Sequence, residues 1–425
     1  MVIDLGEPRD EVELSPRPWS PRQRRAAGAA LALAALLGAG GAAAPVRSEL
    51  ASVTIRATAA DEYTVDDDAL YLMRPSSGVI RAGLRTITRY RLSDATEPEW
   101  EAGIYTAGPV RGASLVDGML LVIVEAGPDI QTIAIRPDTG HEVWRRSGWY
   151  YLAEGGHALL QDHSRHTAQQ LFSIELATGM VRWSLSFPPD DPVLFDGDRF
   201  VHWTKSGTAQ VHDADTGEVL ATAHLPFDLE LTAQVVSGLL LIPEEVAGRP
   251  VLTAYGLDRL DRRWQADIDL REEYVSGECG DALCVGVLND GGIRLVDLAT
   301  GRTRWSKPGF GYAYRVGAYL LAYGQGAATS DQARNPKATL LDPADGHILG
   351  ELGEWNTSVP SADGRMLGIR ENGPRALVAR LDPAAARVEV LGVLAGVFQC
   401  QASPVAVVCR RAGGSIGVWY PERRL

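Results

Sequence analysis

Lysine is nearly missing from this chain of 425 residues and occurs only at Lys205, Lys307 and Lys337. Arginine carries the rest of the positive charge, and the formal net charge is −13. The first 25 residues hold five acids and five arginines, so the whole net charge lies on the remainder. A surface of this sign repels polyanions, which excludes nucleic acid as an expected partner.

The chain also lacks the short motifs that mark common catalytic sites. It contains no Gly-x-Ser-x-Gly, no phosphate-binding glycine loop and no His-Glu-x-x-His. His163 and His166 have no third metal ligand near them, and a solvated loop explains both. Asp66, Asp67 and Asp68 resemble a calcium site only in charge, and a turn between two strands explains them. Paired carboxylates for sugar chemistry leave no sequence signature, so a glycan-active site stays open.

One long uncharged run interrupts the sequence, because residues 26–44 consist only of Ala, Leu and Gly. As a helix this run would measure about 28 Å, close to the roughly 30 Å hydrocarbon core of a bilayer. Arg22, Arg24 and Arg25 precede it, so the positive-inside rule places residues 1–25 in the cytoplasm as a disordered tail. We therefore predict a single-pass protein of the cell membrane whose residues 45–425 are extracytoplasmic.

Other readings of residues 26–44 stay open. Ala42 and Ala44 form a small-x-small signal-peptidase site, although Pro45 beside it should hinder cleavage. The pair Arg24-Arg25 hints at twin-arginine export, but the residues after it match that signal poorly. A lipoprotein would need a cysteine here, and none occurs. A buried soluble helix is the remaining alternative, and its position behind a Pro-rich tail disfavours it.

From residue 50 onward one unit recurs eight times. The copies are ITRYRLSDATEPEW (87–100), IAIRPDTGHEVW (133–144), LFSIELATGMVRW (171–183), AQVHDADTGEVL (209–220), LTAYGLDRLDRRW (252–264), IRLVDLATGRTRW (293–305), ATLLDPADGHIL (338–349) and VARLDPAAARVEV (378–390). Successive copies lie 38 to 45 residues apart. This period is the size of one four-stranded propeller blade.

Each part of the unit has a structural role. An alternating apolar stretch forms a strand, and an Asp four residues before a glycine accepts backbone N–H bonds in the turn. The glycine takes the positive φ of a tight hairpin, at Gly140, Gly179, Gly217, Gly301 and Gly346. A tryptophan in the next strand is expected to face the neighbouring sheet, at Trp144, Trp183, Trp264 and Trp305. Two further short strands precede each copy, so each blade should have four antiparallel strands.

The sequence of strand, Asp-x-x-Thr-Gly and Trp four residues later resembles the pyrroloquinoline-quinone-like repeat, over residues from about 50 to 420. This repeat builds quinoprotein dehydrogenases and the propeller that assists outer-membrane protein assembly. The resemblance implies an all-β propeller of eight blades, whereas strict strand counting allows nine. Trp-Asp repeats fit less well, because their Gly-His and Trp-Asp dipeptides do not recur.

The two ends of the repeat region should close the ring together. After the eighth copy the chain supplies strands only in FQCQASPVAVVCRR and SIGVWYP, which give three strands without a fourth. ASVTIRAT at residues 51–58 has the right alternation to complete that blade. Such pairing removes the exposed edges of the sheets.

The cysteines form two local pairs, Cys279 with Cys284 and Cys400 with Cys409. Each pair spans the hairpin between a first and a second strand. Antiparallel neighbours bring Cβ atoms within disulfide range, and an extracytoplasmic location permits oxidation. We predict two disulfides. Free buried thiols are the alternative.

Function follows less directly from the sequence. Quinone-dependent dehydrogenases of this fold hold calcium and quinone in the central funnel, and many have adjacent cysteines, which this chain lacks. We therefore expect no cofactor, no metal and no enzyme, but a monomeric binding or scaffolding module for an envelope protein, peptide or glycan. A quinoprotein-like or glycan-active extracytoplasmic enzyme is the alternative. The second-to-third connections at residues 74–85, 244–250 and 324–337 vary in length, which predicts that their face of the ring binds the partner.

Overall fold

The computed structural model describes residues 50–75, 83–106, 108–127, 129–164, 168–226, 233–288, 291–324, 336–358 and 366–424. Every regular element within these ranges is a β-strand. No helix among the described residues has the length and hydropathy needed to cross a membrane. The tail at residues 1–25 and the anchor at residues 26–44 that the sequence predicts lie outside the described ranges.

Within the described residues, 36 strands form nine antiparallel sheets of four, which we call blades 1 to 9. Blade 1 comprises β2 (Glu62–Asp66), β3 (Ala69–Pro75), β4 (Leu84–Arg91) and β5 (Asp94–Tyr105). Blade 2 comprises β6 (Val110–Val116), β7 (Met119–Ala126), β8 (Asp129–Ile135) and β9 (Glu142–Ser147). Blade 3 comprises β10 (Trp149–Glu154), β11 (His157–Asp162), β12 (Gln169–Glu175) and β13 (Val181–Phe187). Blade 4 comprises β14 (Val193–Asp196), β15 (Arg199–Trp203), β16 (Thr208–Asp213) and β17 (Val219–His224).

The same order continues through the second half of the chain. Blade 5 comprises β18 (Gln234–Val236), β19 (Leu239–Val246), β20 (Arg249–Gly256) and β21 (Arg262–Ala266). Blade 6 comprises β22 (Glu273–Glu278), β23 (Ala282–Val287), β24 (Gly292–Asp297) and β25 (Thr303–Pro308). Blade 7 comprises β26 (Phe310–Val316), β27 (Tyr319–Gly324), β28 (Lys337–Leu341) and β29 (Ile348–Glu354). Blade 8 comprises β30 (Asn356–Thr357), β31 (Met366–Asn372), β32 (Arg375–Asp382) and β33 (Arg387–Ala395). Blade 9 comprises β34 (Val397–Ala402), β35 (Val407–Arg411), β36 (Ile416–Arg424) and β1 (Leu50–Ile55).

The core consists of apolar layers between neighbouring blades. Each of nine clusters of buried side chains joins two consecutive blades. One of them joins blade 9 to blade 1 through Ile55, Leu72 and Val408. An open row of nine sheets would have only eight such layers, so the ninth layer means that the ring is closed. The predicted propeller of four-stranded antiparallel blades is therefore confirmed.

First strands surround the centre of the ring and fourth strands form its rim. Neighbouring first strands contact each other, as β2 does β6, β14 does β18 and β22 does β26. The fourth strand β17 instead has alternately exposed side chains. This order is the same in every blade, because each sheet runs from its first to its fourth strand without a crossover.

The expected number of eight blades is wrong, because the ring has nine. The eight repeat copies each supply the third and fourth strands of one blade, and the ninth blade contains no copy. Its third strand β36 and its fourth strand β1 come from opposite ends of the repeat region and pair antiparallel, with Val53 opposite Val418. Counting strands in the sequence allowed nine, and the usual architecture of the resembling family pointed to eight.

Arg410 holds the link that leads from β1 into blade 1. Its guanidinium donates to the carbonyl oxygens of Thr58 at 2.6 Å, Gly414 at 3.0 Å and Asp61 at 2.5 Å. The Arg410 side chain is buried. A buried charge needs such partners, so Arg410 ties the closing strand to the first blade.

The turn glycines and the tryptophans form contacts between blades. The five predicted glycines have φ between 70° and 76°. Each packs against a ring of the preceding blade, so Gly140 faces Trp100 and Gly179 faces Trp144. The indole Nε1 of each ring donates to a carbonyl of the same turn, from Trp100 to Pro137, Trp144 to Leu176, Trp183 to Asp215, Trp264 to Leu298 and Trp305 to Pro343. These five indoles therefore face the neighbouring sheet.

At two interfaces, both the tryptophan of one blade and the turn glycine of the next blade are replaced. Blade 4 has Ala221 at the tryptophan position, and the turn of blade 5 has Leu260 with φ 55° in place of glycine. Blade 7 has Gly350 there, and the turn of blade 8 has Ala386 with φ 47°. A Cβ on Gly350 would lie 2.5 Å from the Cβ of Ala386. A side chain in the turn is thus present where the facing ring is absent.

The predicted turn aspartates also have their expected partners. Asp213 Oδ1 accepts the N–H of Thr216 at 2.8 Å, and Asp297 Oδ1 accepts that of Thr300 at 2.9 Å. Asp342 Oδ1 accepts the N–H of Ala344 at 2.7 Å.

Both predicted disulfides are present. Cys279 is bonded to Cys284 across the β22–β23 hairpin, with Cα atoms 5.7 Å apart. Cys400 is bonded to Cys409 across the β34–β35 hairpin, with Cα atoms 4.1 Å apart. Cys284 belongs to the apolar layer between blades 6 and 7, and Cys409 to that between blades 8 and 9. Each bridge therefore fixes the inner hairpin of one blade next to a core layer.

Gly179→Ala should destabilise the protein more than Gly238→Ala. Both glycines have positive φ, which costs alanine about 1–2 kcal/mol. A Cβ at position 179 would lie 2.5 Å from Trp144, whereas one at position 238 meets nothing within 4 Å. We expect overpacking to add about 1–3 kcal/mol at position 179 only, as measured by chemical denaturation. Equal losses, or an unchanged cost of Gly179→Ala in a Trp144→Gly background, would contradict the contact between Trp144 and the turn.

Replacing both cysteines of either bridge by serine should lower the free energy of unfolding by roughly 2–3 kcal/mol, because each bridge closes a short loop. Denaturant titration of the two double variants measures this change. The unmodified chain should take up no alkylating label without reductant, and four alkylated thiols in its mass spectrum would contradict both bridges.

Candidate binding face

Second-to-third and fourth-to-first connections emerge on one face of the ring, which we call the variable face. The opposite turn face carries the tight first-to-second and third-to-fourth turns. A cavity of about 320 Å³ on the variable face joins both kinds of connection, and we call it the blade 5 cleft. Its lining comprises Pro226, Pro243, Glu244, Glu245, Pro250, Val251, Ile268, Asp269, Leu270 and Arg271.

The hairpin that forms one wall of the cleft differs from its sequence prediction. Residues 244–250 were expected to be a variable loop, but β19 and β20 extend through them and pair Glu245 with Pro250. The connection is only Ala247-Gly248, both with positive φ as a two-residue hairpin turn requires. Pro243 lies within β19 and Pro250 within β20, although proline inside a strand pattern usually argues against a strand.

One part of the cleft lining is apolar. Pro243 and Pro250 lie on adjacent strands, and Leu270 and Ile268 come from the link between blades 5 and 6. Ile268 is buried and anchors this link in the layer between the two blades. The apolar wall is therefore part of the folded core and does not depend on a ligand for its shape.

Glu244 is a fixed carboxylate in this cleft. Its Oε2 accepts a hydrogen bond from Thr253 Oγ1 at 3.0 Å, and its Oε1 accepts one from Tyr255 Oη at 2.8 Å. Burial raises the pKa of Tyr255 to about 12, and the Glu244 carboxylate adds to the rise. Tyr255 thus remains a hydrogen-bond donor at all physiological pH values.

Asp269 and Arg271 form the opposite polar wall. The Arg271 guanidinium donates to both Asp269 oxygens, at 2.8 and 2.9 Å, and lowers the pKa of that carboxyl. Behind them, Glu273 accepts the N–H of Asp269 at 3.1 Å and pairs with Arg294 at 2.5 Å. This chain of contacts fixes the link, so the cleft presents preformed charges.

A second cavity of about 510 Å³ adjoins the cleft at Pro226. Lys205, Ser206, Gly207, His224 and Leu225 complete its lining. Lys205 pairs with Asp190 at 2.8 Å. The two cavities share Pro226 and together extend from blade 4 to the link between blades 5 and 6.

Apart from residues 244–250, the residues that the sequence singled out do not line this surface. The turn glycines and tryptophans stabilise contacts between blades, and the cysteines bridge inner hairpins. Asp66 ends β2, and Asp67 and Asp68 form the following turn, as expected. His163 is exposed, and His166 lies outside the described residues.

One group of side chains among the described residues has the composition of a metal site. Ligand atoms of Asp342, Asp345 and His347 all lie within 4.8 Å of one another on the turn face. The carboxylates already accept turn N–H bonds, Asp342 from Ala344 and Asp345 from His347. Asp342 thus does what Asp213 and Asp297 do in other blades, and a turn role accounts for the group.

No known family model and no curated protein sequence matches the chain. Solved structures do match its fold. A crystal structure of BamB from Moraxella catarrhalis has 12% identity and a TM-score of 0.44, covering 87% of this chain and 98% of that one. A quinohemoprotein alcohol dehydrogenase from Comamonas testosteroni has 12% identity and a TM-score of 0.44, covering 88% and 76%. A eukaryotic initiation factor has 12% identity and a TM-score of 0.55, covering 84% and 94%. At these identities the similarity concerns the β-propeller fold alone.

Proposed function

We propose that this protein is a membrane-tethered, extracytoplasmic binding module without enzymatic activity, which captures an envelope partner on its variable face. The observation that carries the proposal is the blade 5 cleft, in which apolar side chains and fixed charges from blade 5 and its flanking links form one preformed cavity. Binding sites typically combine an apolar lining with a few well-placed polar groups. Tethering rests on the uncharged run at residues 26–44.

The chemistry of the cleft favours a peptide segment with an aliphatic and a cationic side chain. Pro243, Pro250 and Leu270 offer apolar contact. Glu244, Glu245 and Asp269 outnumber Arg271, so the cavity is acidic. The net charge of −13 attracts the same kind of partner over longer distances. The sequence predicts a protein, a peptide or a glycan as the partner, so a folded protein and a glycan are the alternatives to a peptide.

The state of the titratable groups in the cleft supports binding over catalysis. A general acid or base works best with a pKa near the operating pH. Here Arg271 lowers the pKa of Asp269, and burial raises to about 12 the pKa of Tyr255, which donates to the lining residue Glu244 from outside the lining. Both groups are therefore held in one protonation state near neutral pH, which suits recognition.

Site-specific crosslinking tests the proposed face. A photoreactive residue in place of Leu270 should yield an adduct in cells that produce the full chain, because Leu270 lines the cleft. Leu298 is equally half-buried but lies in a third-to-fourth turn, so the same replacement there should yield none. Mass spectrometry of the adduct distinguishes protein, peptide and glycan. Adducts at Leu298 alone would contradict binding on the variable face.

Charge reduction tests the cationic partner. Glu245→Gln should weaken capture of that partner several-fold, because it removes a carboxylate from the cleft. Glu218→Gln, at an exposed glutamate of the turn face, is the matched control and should leave capture unchanged. Equal affinity of the two variants would remove the cationic assignment. Quinone absorbance, bound calcium or glycan turnover in the purified chain would favour an enzyme instead.

A further inference from the structure

The interface between blades 3 and 4 is built differently from the other described interfaces. Its layer contains few aliphatic side chains and several stacked rings. Phe187 of blade 3 stacks on His202 of blade 4 with centroids 4.1 Å apart. Phe200 stacks on His212 at 4.6 Å and on Trp183 at 5.8 Å. His202 and His212 are the buried histidines among the described residues, and both lie in this layer.

The hydrogen bonds of His212 determine where its proton sits. His212 Nδ1 lies 3.1 Å from the carbonyl oxygen of Gly217. A carbonyl only accepts, so Nδ1 carries the hydrogen and Nε2 is a bare lone pair in the neutral ring. Nε2 is buried without a hydrogen-bond partner. Protonation would therefore place an N–H and a positive charge where no acceptor meets them.

The charged neighbours of His212 are few and already paired. His202, on the adjacent strand, has its Nε2 3.1 Å from Asp191 Oδ2, and both side chains are buried. In the turn after β16, Asp215 pairs with Arg182 of blade 3 and lies 3.7 Å from His157. Asp213 in the same turn accepts N–H bonds from Asp215 and Thr216.

From this geometry we infer that the interface between blades 3 and 4 is an acid-sensitive joint of the ring, which loosens when His212 takes up a proton. Burial lowers the pKa of His212, the hydrogen bond to the Gly217 carbonyl opposes this shift, and His202 adds to it. The Phe200 face offers an imidazolium some cation–π stabilisation. Leaving a buried N–H without an acceptor costs about as much again, and burial of the charge adds to that cost.

The sign of the pH effect follows from the lowered pKa. An opened interface binds the proton more readily than the closed one, so acid favours the open form. The closed interface has its full stability above the ordinary histidine pKa of about 6.5 and loses it as the pH falls below that value. At pH 5.5 the opening equilibrium should rise by up to about tenfold, because an ordinary histidine is then about ten times more often charged than neutral.

Hydrogen exchange of the full chain, read by mass spectrometry at pH 7.5 and 5.5 and corrected for intrinsic rates, tests this joint. We expect up to about tenfold faster opening at pH 5.5 in β13, β15 and β16, and no change in β4 and β7, whose shared layer contains no histidine. Exchange rates that change equally with pH in both groups of strands, or in neither group, would overturn the proposal.

Variants test whether the pH effect comes from the His212 side chain. His212→Asn keeps a donor near the Nδ1 position and should abolish the pH response, and His212→Phe should do the same if the asparagine fails to fold. His224→Asn, at an exposed histidine of the same blade, is the control and should keep the response. A response that survives in both His212 variants but disappears in His202→Asn would overturn the assignment to His212.

Discussion

The whole structure depends on one constraint, that every sheet has two apolar faces and only its neighbours can cover them. A single blade would leave both faces in water, and a row of blades would leave one at each end. Closure through β1 and β36 removes these exposed faces and gives nine layers for nine blades. The tryptophan rings, at about 25 cal/mol per Å² of buried surface, are among the largest contributions to these layers.

Much of this fold follows from the sequence, because the repeat encodes contacts between adjacent units. In the copy at residues 171–183, Gly179 marks the turn and Trp183 the indole that packs on the next blade, and other copies keep the same two residue types. Two cysteines five residues apart mark a hairpin. The closing strand at residues 51–58 was predicted because the last blade lacked a fourth strand and this segment had the right alternation, and β1 pairs there with β36. The predicted number of blades was wrong because it followed the family resemblance, which implies eight, and not the count of strands, which allows nine.

The sequence allowed a prediction of which face of the ring binds a partner, but not of which residues form the cleft on that face. Pro226 and Arg271 come from two different connections and Glu244 from strand β19, and no local pattern links them. Their proximity results from the packing of blades 4 to 6, which a repeat alignment does not contain. The buried histidines were missed for a similar reason, because His202 and His212 look like ordinary strand residues until Phe187 of the preceding blade is placed against them.

The matched exceptions at Leu260 and Ala386 have a consequence for how such a ring can change over generations. A duplicated or transplanted blade would bring its turn to a neighbour that carries the wrong partner, setting a leucine against an indole or a glycine against empty space. The unit that must be inherited intact is therefore the interface between two blades. Recombination that keeps both sides of an interface together should be tolerated, whereas exchange of a whole blade should not.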